Sequence, residues 1–428
     1  MKTQKLIITI ATLMMCIISK AQVSPVGSGV NAAVTGFNTD STNLLIACDT
    51  AGQTASVQEW NGSSYTTFPG LFSAGNGTPA GTVAYFAGQK YAVCYSGYGD
   101  PTIIFGWNGT SWVNYAQNSS PNMYFSCLFG DASYLYAAGY CGGISPGLNL
   151  NVNLPSPSSV SNTYGKVKFS GTAWSKTGTT QIIGRVTNIR KFGTTYYYTG
   201  NMSYGTTTTN VGVTKYGPTN FSAVAPYGNN DLVTASSEYV SDVAMYNGNL
   251  YACGNFAAPY NTAYVAMWNG SAWVAVGSAP VAQGTSLAVF DGKLYVGLNS
   301  GSGPNLVSYD GTNWTTITGL TGGGVTSLEV IGNTLYIGGA ITVPNHIAEI
   351  VHSVITGEQT HEINRAFHSY IYDGVFNFAS DKVMSIALYD IRGSLIYTGK
   401  TDRIELPVEA GVYVLQTEAG SMKMVSVK

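Results

Sequence analysis

Charge is what this chain has least of: 9% of its 428 residues are Asp, Glu, Lys or Arg, and the net charge is −2. A nucleic-acid interface needs Lys and Arg clustered against phosphates, so no nucleic-acid partner is expected. Histidine is scarcer still, with His346, His352, His361 and His368 making up the 4 in the chain. The preceding residues therefore have no imidazole for a metal site or a Ser-His-Asp triad, and no catalytic residue, metal or cofactor is assigned. Long apolar runs are missing beyond the start of the chain, which leaves no candidate for a spanning helix. Cysteine is few and odd-numbered after position 22, at Cys48, Cys94, Cys127, Cys141 and Cys253. At most two bridges could form; mostly buried free thiols are expected, with a bridge between the first two repeats left open.

What is present points outward from the cell. Lys2 and Lys5 precede an apolar run, Leu6 to Ile18, followed by Ser19, Lys20, Ala21 and Gln22. This reads as a secretory signal peptide over 1–21, with the mature protein starting near Gln22, soluble, and secreted or held at the outer cell surface. Abundant Gly, Thr, Ser, Asn and Tyr favour strands joined by tight turns.

An internal repeat sets the expected architecture. An aromatic, a turn pair containing Gly, two residues and a second aromatic recur in WNGSSY (60–65), WNGTSW (107–112), FSGTAW (169–174), YGPTNF (216–221), WNGSAW (268–273) and YDGTNW (309–314). Each reads as a hairpin with positive backbone angles at the turn. A second hairpin ends in a Leu-Tyr-x-x-Gly type strand, as in VAMYNGNLYACGN (243–255). Aligning its copies puts Gly139, Gly200, Gly254, Gly297 and Gly338 in one column with Cys48 and Cys94, a column of small residues where another strand passes closely. Four strands per unit predict an all-β fold: a seven-bladed β-propeller over 22–354, a linker over 355–361, and a small C-terminal β-sandwich over 362–428. VSPVGSGV (23–30) resembles WVAVGSAPV (273–281), so the N-terminal strand is expected to close the last blade; six blades is the alternative.

The repeat resembles kelch-like propellers of secreted bacterial proteins. The C-terminal block SIALYDIRG (385–393), LIYTGK (395–400), AGVYVL (410–415) and the basic end 423–428 resemble the type A sorting domain of type IX secretion system cargo. That resemblance implies the type IX machinery as partner, with Tyr389, Asp390, Gly393, Gly411, Tyr413 and Lys428 as sorting-signal residues. It also implies removal of the tail near 353–360 and, for an anchored product, attachment to surface lipopolysaccharide.

Tight turns close one face of a propeller and longer connections form the other, where binding is expected. The longest are Phe68 to Ala80, Cys141 to Thr163 and Ala225 to Glu238. Asp49, Tyr95, Tyr140, Asn201, Asp242 and Asn255 are the candidate ligand-binding residues, since aromatic faces stack on sugar rings while Asn and Asp bond hydroxyls. A polysaccharide or a protein partner is the expected ligand. The alternatives are a structural adhesin used in adhesion or a glycan-active hydrolase or lyase with Asp49, Asp100, Asp231, Glu238 and Asp242 as candidate carboxylates. SYDGTNW (308–314) resembles the Asp-box turn of sialidases, but Arg185 and Arg190 alone cannot form their three-arginine clamp.

Overall fold

The computed structural model describes residues 23–49, 56–70, 80–94, 102–118, 123–142, 149–156, 158–204, 209–217, 220–225, 231–256, 264–278, 282–300, 303–351, 367–372, 375–390, 394–408, 411–417 and 420–426. The signal-peptide segment, the linker, Tyr95, Asp100, Gly393 and Lys428 lie outside them. Among the described residues every regular element is a strand. The chain divides into two compact units, Met1–His352 and Ser353–Lys428.

The first unit is a succession of antiparallel four-stranded meanders. The first comprises Ala33–Thr39, Leu44–Asp49, Ser56–Trp60 and Tyr65–Phe68; the second, Ala80–Phe86, Gln89–Cys94, Ile103–Trp107 and Trp112–Asn118. Met123–Gly130, Leu135–Cys141, Lys166–Phe169 and Trp174–Lys176 form the third, and Ile182–Phe192, Thr195–Tyr204, Val211–Tyr216 and Phe221–Ala223 the fourth. The fifth is Tyr239–Tyr246, Asn249–Asn255, Val265–Trp268 and Trp273–Ala275; the sixth, Gly284–Phe290, Lys293–Leu298, Leu306–Tyr309 and Trp314–Thr316. The last has Thr321–Ile331, Thr334–Val343 and Ile347–Val351 from the end of the unit, and its outer strand is Val23–Pro25, paired antiparallel to Ile350–Ala348. The first strand of each meander packs against the first strand of the next, and that of the last returns to the first, so they surround a common axis.

Apolar side chains gather between successive sheets rather than in one central core. Val34, Phe37 and Ile46 meet Val26, Val30, Tyr336 and Ile347 where the last sheet meets the first. The repeated aromatics explain much of this packing. The second aromatic of the turn motif reaches the preceding sheet and bonds its backbone: Trp112 Nε1 donates to Phe68 O (3.4 Å), Trp314 Nε1 to Val276 O (2.8 Å), and the Tyr65 hydroxyl to Val26 O (2.8 Å). In the turn itself the Asn acts through its side chain. Asn61 Oδ1 accepts from the backbone of Ser63 and Ser64 (both 2.9 Å), and only Gly62 takes the left-handed φ, at 91°. Asn108, Asn269 and Asp310 repeat this arrangement.

Three of the hairpins between first and second strands place two successive residues at positive φ, among them Asn247–Gly248 (47° and 78°) and Asp291–Gly292 (49° and 67°). In the second meander alanine occupies the first place, Ala87 at 50°. An L-residue without a short polar side chain is strained there. Ala87→Asn is therefore expected to stabilise the protein by about 0.5–1 kcal/mol, read as a rise in the urea midpoint.

Each first strand carries a β-bulge near the loop face. The extra residues include Thr35, Ser126, Thr187, Ser241, Thr285 and Thr326. A bulge leaves a backbone carbonyl outside the ladder. The hydroxyl of the preceding sheet takes it up: Ser126 Oγ donates to Val186 O (2.8 Å), Thr187 Oγ1 to Val240 O (2.5 Å), Thr285 Oγ1 to Val325 O (2.6 Å) and Thr326 Oγ1 to Val34 O (2.5 Å). The result is a belt of hydroxyl-to-carbonyl bonds between sheets, and its Thr326 link joins the last sheet to the first.

The small-residue column sits opposite these bulges. Val34, Ala80, Phe125, Val186 and Val240 face Cys48, Cys94, Gly139, Gly200 and Gly254. A Cβ on Gly139 would lie 2.0 Å from Tyr124 O, and one on Gly200 1.9 Å from Arg185 O. In the sixth and last sheets the position belongs to Leu298 and Gly339, one residue beyond the expected Gly297 and Gly338. Counted from the turn of each hairpin, Gly254, Leu298 and Gly339 fall at the same place. The five cysteines are free and buried, and burial pushes the Cys48 thiol up to about 12, against the pull of its hydrogen bond with Ser56.

The segment from Cys141 to Thr163, expected as an open loop, contains a hairpin, Leu150–Val152 and Ser158–Val160, which adds to the outer edge of the second meander through Trp112–Asn118. Its Leu154 carbonyl accepts from Trp174 Nε1 at 3.1 Å. An otherwise unpaired edge is thereby covered.

The second unit is a five-stranded sheet built on the long strand Val375–Asp390. Phe367–Tyr372 pairs with its first half, Gly411–Thr417 with its second, and Leu395–Pro407 along the other edge with a break between Ala379 and Met384. Gly420–Ser426 follows beside Gly411–Thr417. Phe376, Phe378, Ile386, Leu388, Tyr413 and Leu415 share one buried cluster.

Candidate binding site on the loop face

The third and fourth meanders are hydrogen-bonded to one another at the loop face, where Tyr140 and Cys141 pair with Arg185 and Gly184. Gly184 is needed for this, with φ at 95° and only 2.3 Å between a Cβ built on it and Asn201 O. Beside the junction lies a cleft of about 170 Å³ lined by Tyr140, Gly142, Ile183, Asn201, Ser203 and Asn210. Tyr124 stacks on Tyr140, with ring centroids 5.3 Å apart and planes 21° from parallel. The exposed Arg185 guanidinium lies over the Tyr239 ring at 4.9 Å. Strand register thus sets Tyr140, with its stacked Tyr124, beside Arg185 at the edge of a cleft that also holds the Asn201 and Asn210 amides.

Two of the expected ligands, Tyr140 and Asn201, line this cleft together. Asn201 also holds the neighbouring loop, since its Nδ2 donates to Ala235 O (3.0 Å) and Glu238 O (2.7 Å). Asn255 does the same from the fifth meander, donating to Ser237 O at 3.1 Å. Asp49 ends its strand half-buried on the first meander, away from the cleft lining. Asp242 is wholly buried in the channel wall. It accepts from Arg190 Nε (2.8 Å) and NH2 (2.7 Å), Asn188 Nδ2 (2.9 Å), and the backbone of Val243 (2.9 Å) and Leu287 (3.0 Å). All its acceptor positions face protein, so its place is in the frame of the ring. Burial alone would pull Arg190 down, but the Asp242 carboxylate outweighs it and holds the guanidinium above its ordinary value. Arg185, Tyr124 and Tyr239, which the sequence does not single out as ligand-binding residues, stand beside the cleft rather than in its lining: Arg185 pairs with Tyr140, Tyr124 stacks on Tyr140, and Tyr239 lies under Arg185.

The other acidic candidates are similarly committed. Glu238 Oε2 caps its own loop, accepting from the backbone of Thr234 (2.7 Å) and Ala235 (3.0 Å). Asp231, 7% exposed, accepts from the backbone of Gly212 (2.8 Å) and Val233 (3.3 Å). Burial raises its carboxyl to about 6, with the backbone donors opposing. Since the folded value exceeds the unfolded one, its contribution to stability is fully present below about pH 4 and is lost as pH rises through about 6. Asp231→Asn keeps an oxygen acceptor without the charge. It is expected to be more stable than the parent by about 1–3 kcal/mol at pH 7.5 and equal to it at pH 4. Urea melts of both proteins at the two pH values check this.

In the second unit, Asp390 closes the turn before the next strand: Oδ1 accepts from Ser394 N (2.8 Å), and its own N–H donates to Ser394 O (2.9 Å). Tyr389 precedes it on the same strand, Gly411 opens the strand Gly411–Thr417, and Tyr413 is buried opposite Asp390.

Four-stranded meanders surrounding an axis, each inner strand packed on the next, define a β-propeller. No protein-family model matches the sequence, and no curated protein does. Among solved structures, the chain is similar to PorZ of Porphyromonas gingivalis, described as an essential bacterial surface component of the type-IX secretion system. The TM-score is 0.50 at 14% identity, over 97% of this chain and 61% of that one. The likeness is one of fold, and the chain spans less than two thirds of that protein. The computationally designed Ika8 protein (TM-score 0.42, 10% identity, covering 93% and 98%) and YCF48 from Cyanidioschyzon merolae (0.46, 8%, covering 77% and 98%) are also similar.

Proposed function

We propose that the protein is a secreted or cell-surface binding protein. Its first unit acts as a seven-bladed, kelch-like β-propeller closed by the N-terminal strand, and its loop face recognises polysaccharide. The carrying observation is the Tyr124–Tyr140 stack beside the Arg185–Tyr239 pair over a small polar-lined cleft. Aromatic faces there offer platforms for pyranose rings, and the amides and guanidinium offer hydrogen bonds to hydroxyls or acidic groups. A protein partner is the second candidate ligand. With Asp231, Glu238 and Asp242 bonded to the protein itself, a glycan-active enzyme has less to recommend it.

Export through the type IX system rests on the sorting-block resemblance. The second unit then serves as a sandwich-type sorting domain, with Asp390 holding its turn and Tyr413 its core. Fold likeness to a surface component of that system is consistent with the same setting.

The test is binding of the full mature chain to a broad glycan array beside Tyr140→Ala. Stacking is worth about 1 kcal/mol or more, so a hit should weaken about fivefold to tenfold in the variant. Silence of the parent protein, or binding indifferent to Tyr140, would remove the sugar reading.

A further inference from the structure

We infer that the loop-face cleft takes a hexuronate unit of an acidic polysaccharide, with the sugar carboxylate bound by Arg185. The inference rests on the sugar reading of that cleft and names the class of sugar.

Strand register places the parts. Tyr124, Tyr140, Arg185 and Asn201 stand directly opposite one another across four neighbouring strands. Side chains paired in this way leave the sheet on one face, and Ile183 and Ser203, two residues away on the same strands, leave it on that face too. The first row therefore borders the cleft and the second floors it. Gly142 keeps the floor low beside Tyr140, since a Cβ built on it would lie 3.0 Å from the tyrosine hydroxyl. At about 170 Å³ the cleft has room for one sugar unit.

Arg185 selects the charge. Lys90, Arg190 and Lys191 each meet a carboxylate, whereas Arg185 is exposed and meets none among the described residues. A long side chain loses rotamer freedom when it binds, and here much of that ordering is already done. The guanidinium rests over the Tyr239 ring at 4.9 Å, and that ring is held through its hydroxyl, which accepts from Gln283 Nε2 at 2.5 Å. Glu238, next to Tyr239 in sequence, turns its Oε2 to the backbone of Thr234 and Ala235 instead. Asn201 is fixed likewise: its Nδ2 is committed to Ala235 O and Glu238 O, so its Oδ1, which accepts from no described residue, is left for a sugar hydroxyl. A free, pre-oriented guanidinium fork between a tyrosine ring and an amide acceptor matches a pyranose that carries a planar carboxylate.

The experiment titrates the whole chain by calorimetry with tetrasaccharides of galacturonate, glucuronate and mannuronate, each beside its methyl ester, and with a sulfated galactan of the same length. The expected result is that one of the acids binds and its ester, equal in shape but uncharged, binds about tenfold or more weakly. Arg185→Gln should abolish the difference between acid and ester, and Arg185→Lys, which keeps the charge without the fork, should restore only part of it. An ester bound as tightly as its acid overturns the inference, as does a preference for the sulfated galactan or silence toward all the acids. Failure of the sugar reading itself looks different. A neutral glycan bound in a Tyr140-dependent way keeps that reading while this inference falls, and silence toward every glycan removes both.

Discussion

Asp242→Ala should lower the stability of the first unit by about 3–5 kcal/mol, the largest effect expected of a point substitution here. The substitution removes the partner of the half-buried Arg190 guanidinium and strands the Leu287 backbone donor in the next meander. Glu329 also lines this part of the channel. Burial raises its carboxyl, Asp242 adds to the rise and Arg190 opposes it, so Glu329 replaces only part of the lost charge. The check is a double-mutant cycle with Arg190→Met, followed by thermal melts. Removing both charges, as Asp242→Leu with Arg190→Met, should recover part of the loss, because the guanidinium is no longer left without Asp242 while Glu329 loses its cation. A single Asp242→Ala that melts like the parent would show that the pair contributes nothing.

The second large effect concerns the closing strand. A chain beginning at Asn31 lacks Val23–Pro25 and with it Val26 and Val30, each 1% exposed between the last and first sheets. Losing the burial of two valines costs about 3–6 kcal/mol. The deletion also uncovers the edge of Ile347–Val351 and removes the carbonyl that Tyr65 bonds. An exposed strand edge invites pairing with another copy. The shortened protein is expected to unfold at lower temperature and to elute as oligomers. Val26→Ala with Val30→Ala should reproduce the loss of stability without the oligomers, which separates packing from edge protection. A monomeric deletion with the parent's melting temperature would show that the strand is dispensable.

Much of the architecture was legible because its signals are local. The turn motif announces itself in WNGTSW and its relatives, since Asn caps the turn with its own side chain and Gly supplies the positive φ within a few residues. The likeness of VSPVGSGV to another outer strand also lay in a short stretch, as did the Asp390 turn of the second unit. What failed was register. Gly297 and Gly338 stand three residues after the Leu of their strands where Gly254 stands four after its own, and strand pairing gives the shared place to Leu298 and Gly339. The hairpin at 150–160 looked like a loop because its strands are only three residues each and pair with the preceding sheet.

By itself, the sequence determined an all-β chain of repeated hairpins, poor in charge and in imidazole, with small residues at most of the places where backbones come close. These properties follow from residue type and short-range spacing. Tertiary structure alone decided which polar groups meet. Asp242 and Asn201 are similar as letters near strand ends, yet one is buried under Arg190 while the other lines a cleft. The Arg185–Tyr239 pair and the Arg190–Asp242 ion pair arise from side chains far apart in sequence. Their juxtaposition depends on how each meander is rotated against the next, a quantity that packing around the whole ring sets and no local motif encodes.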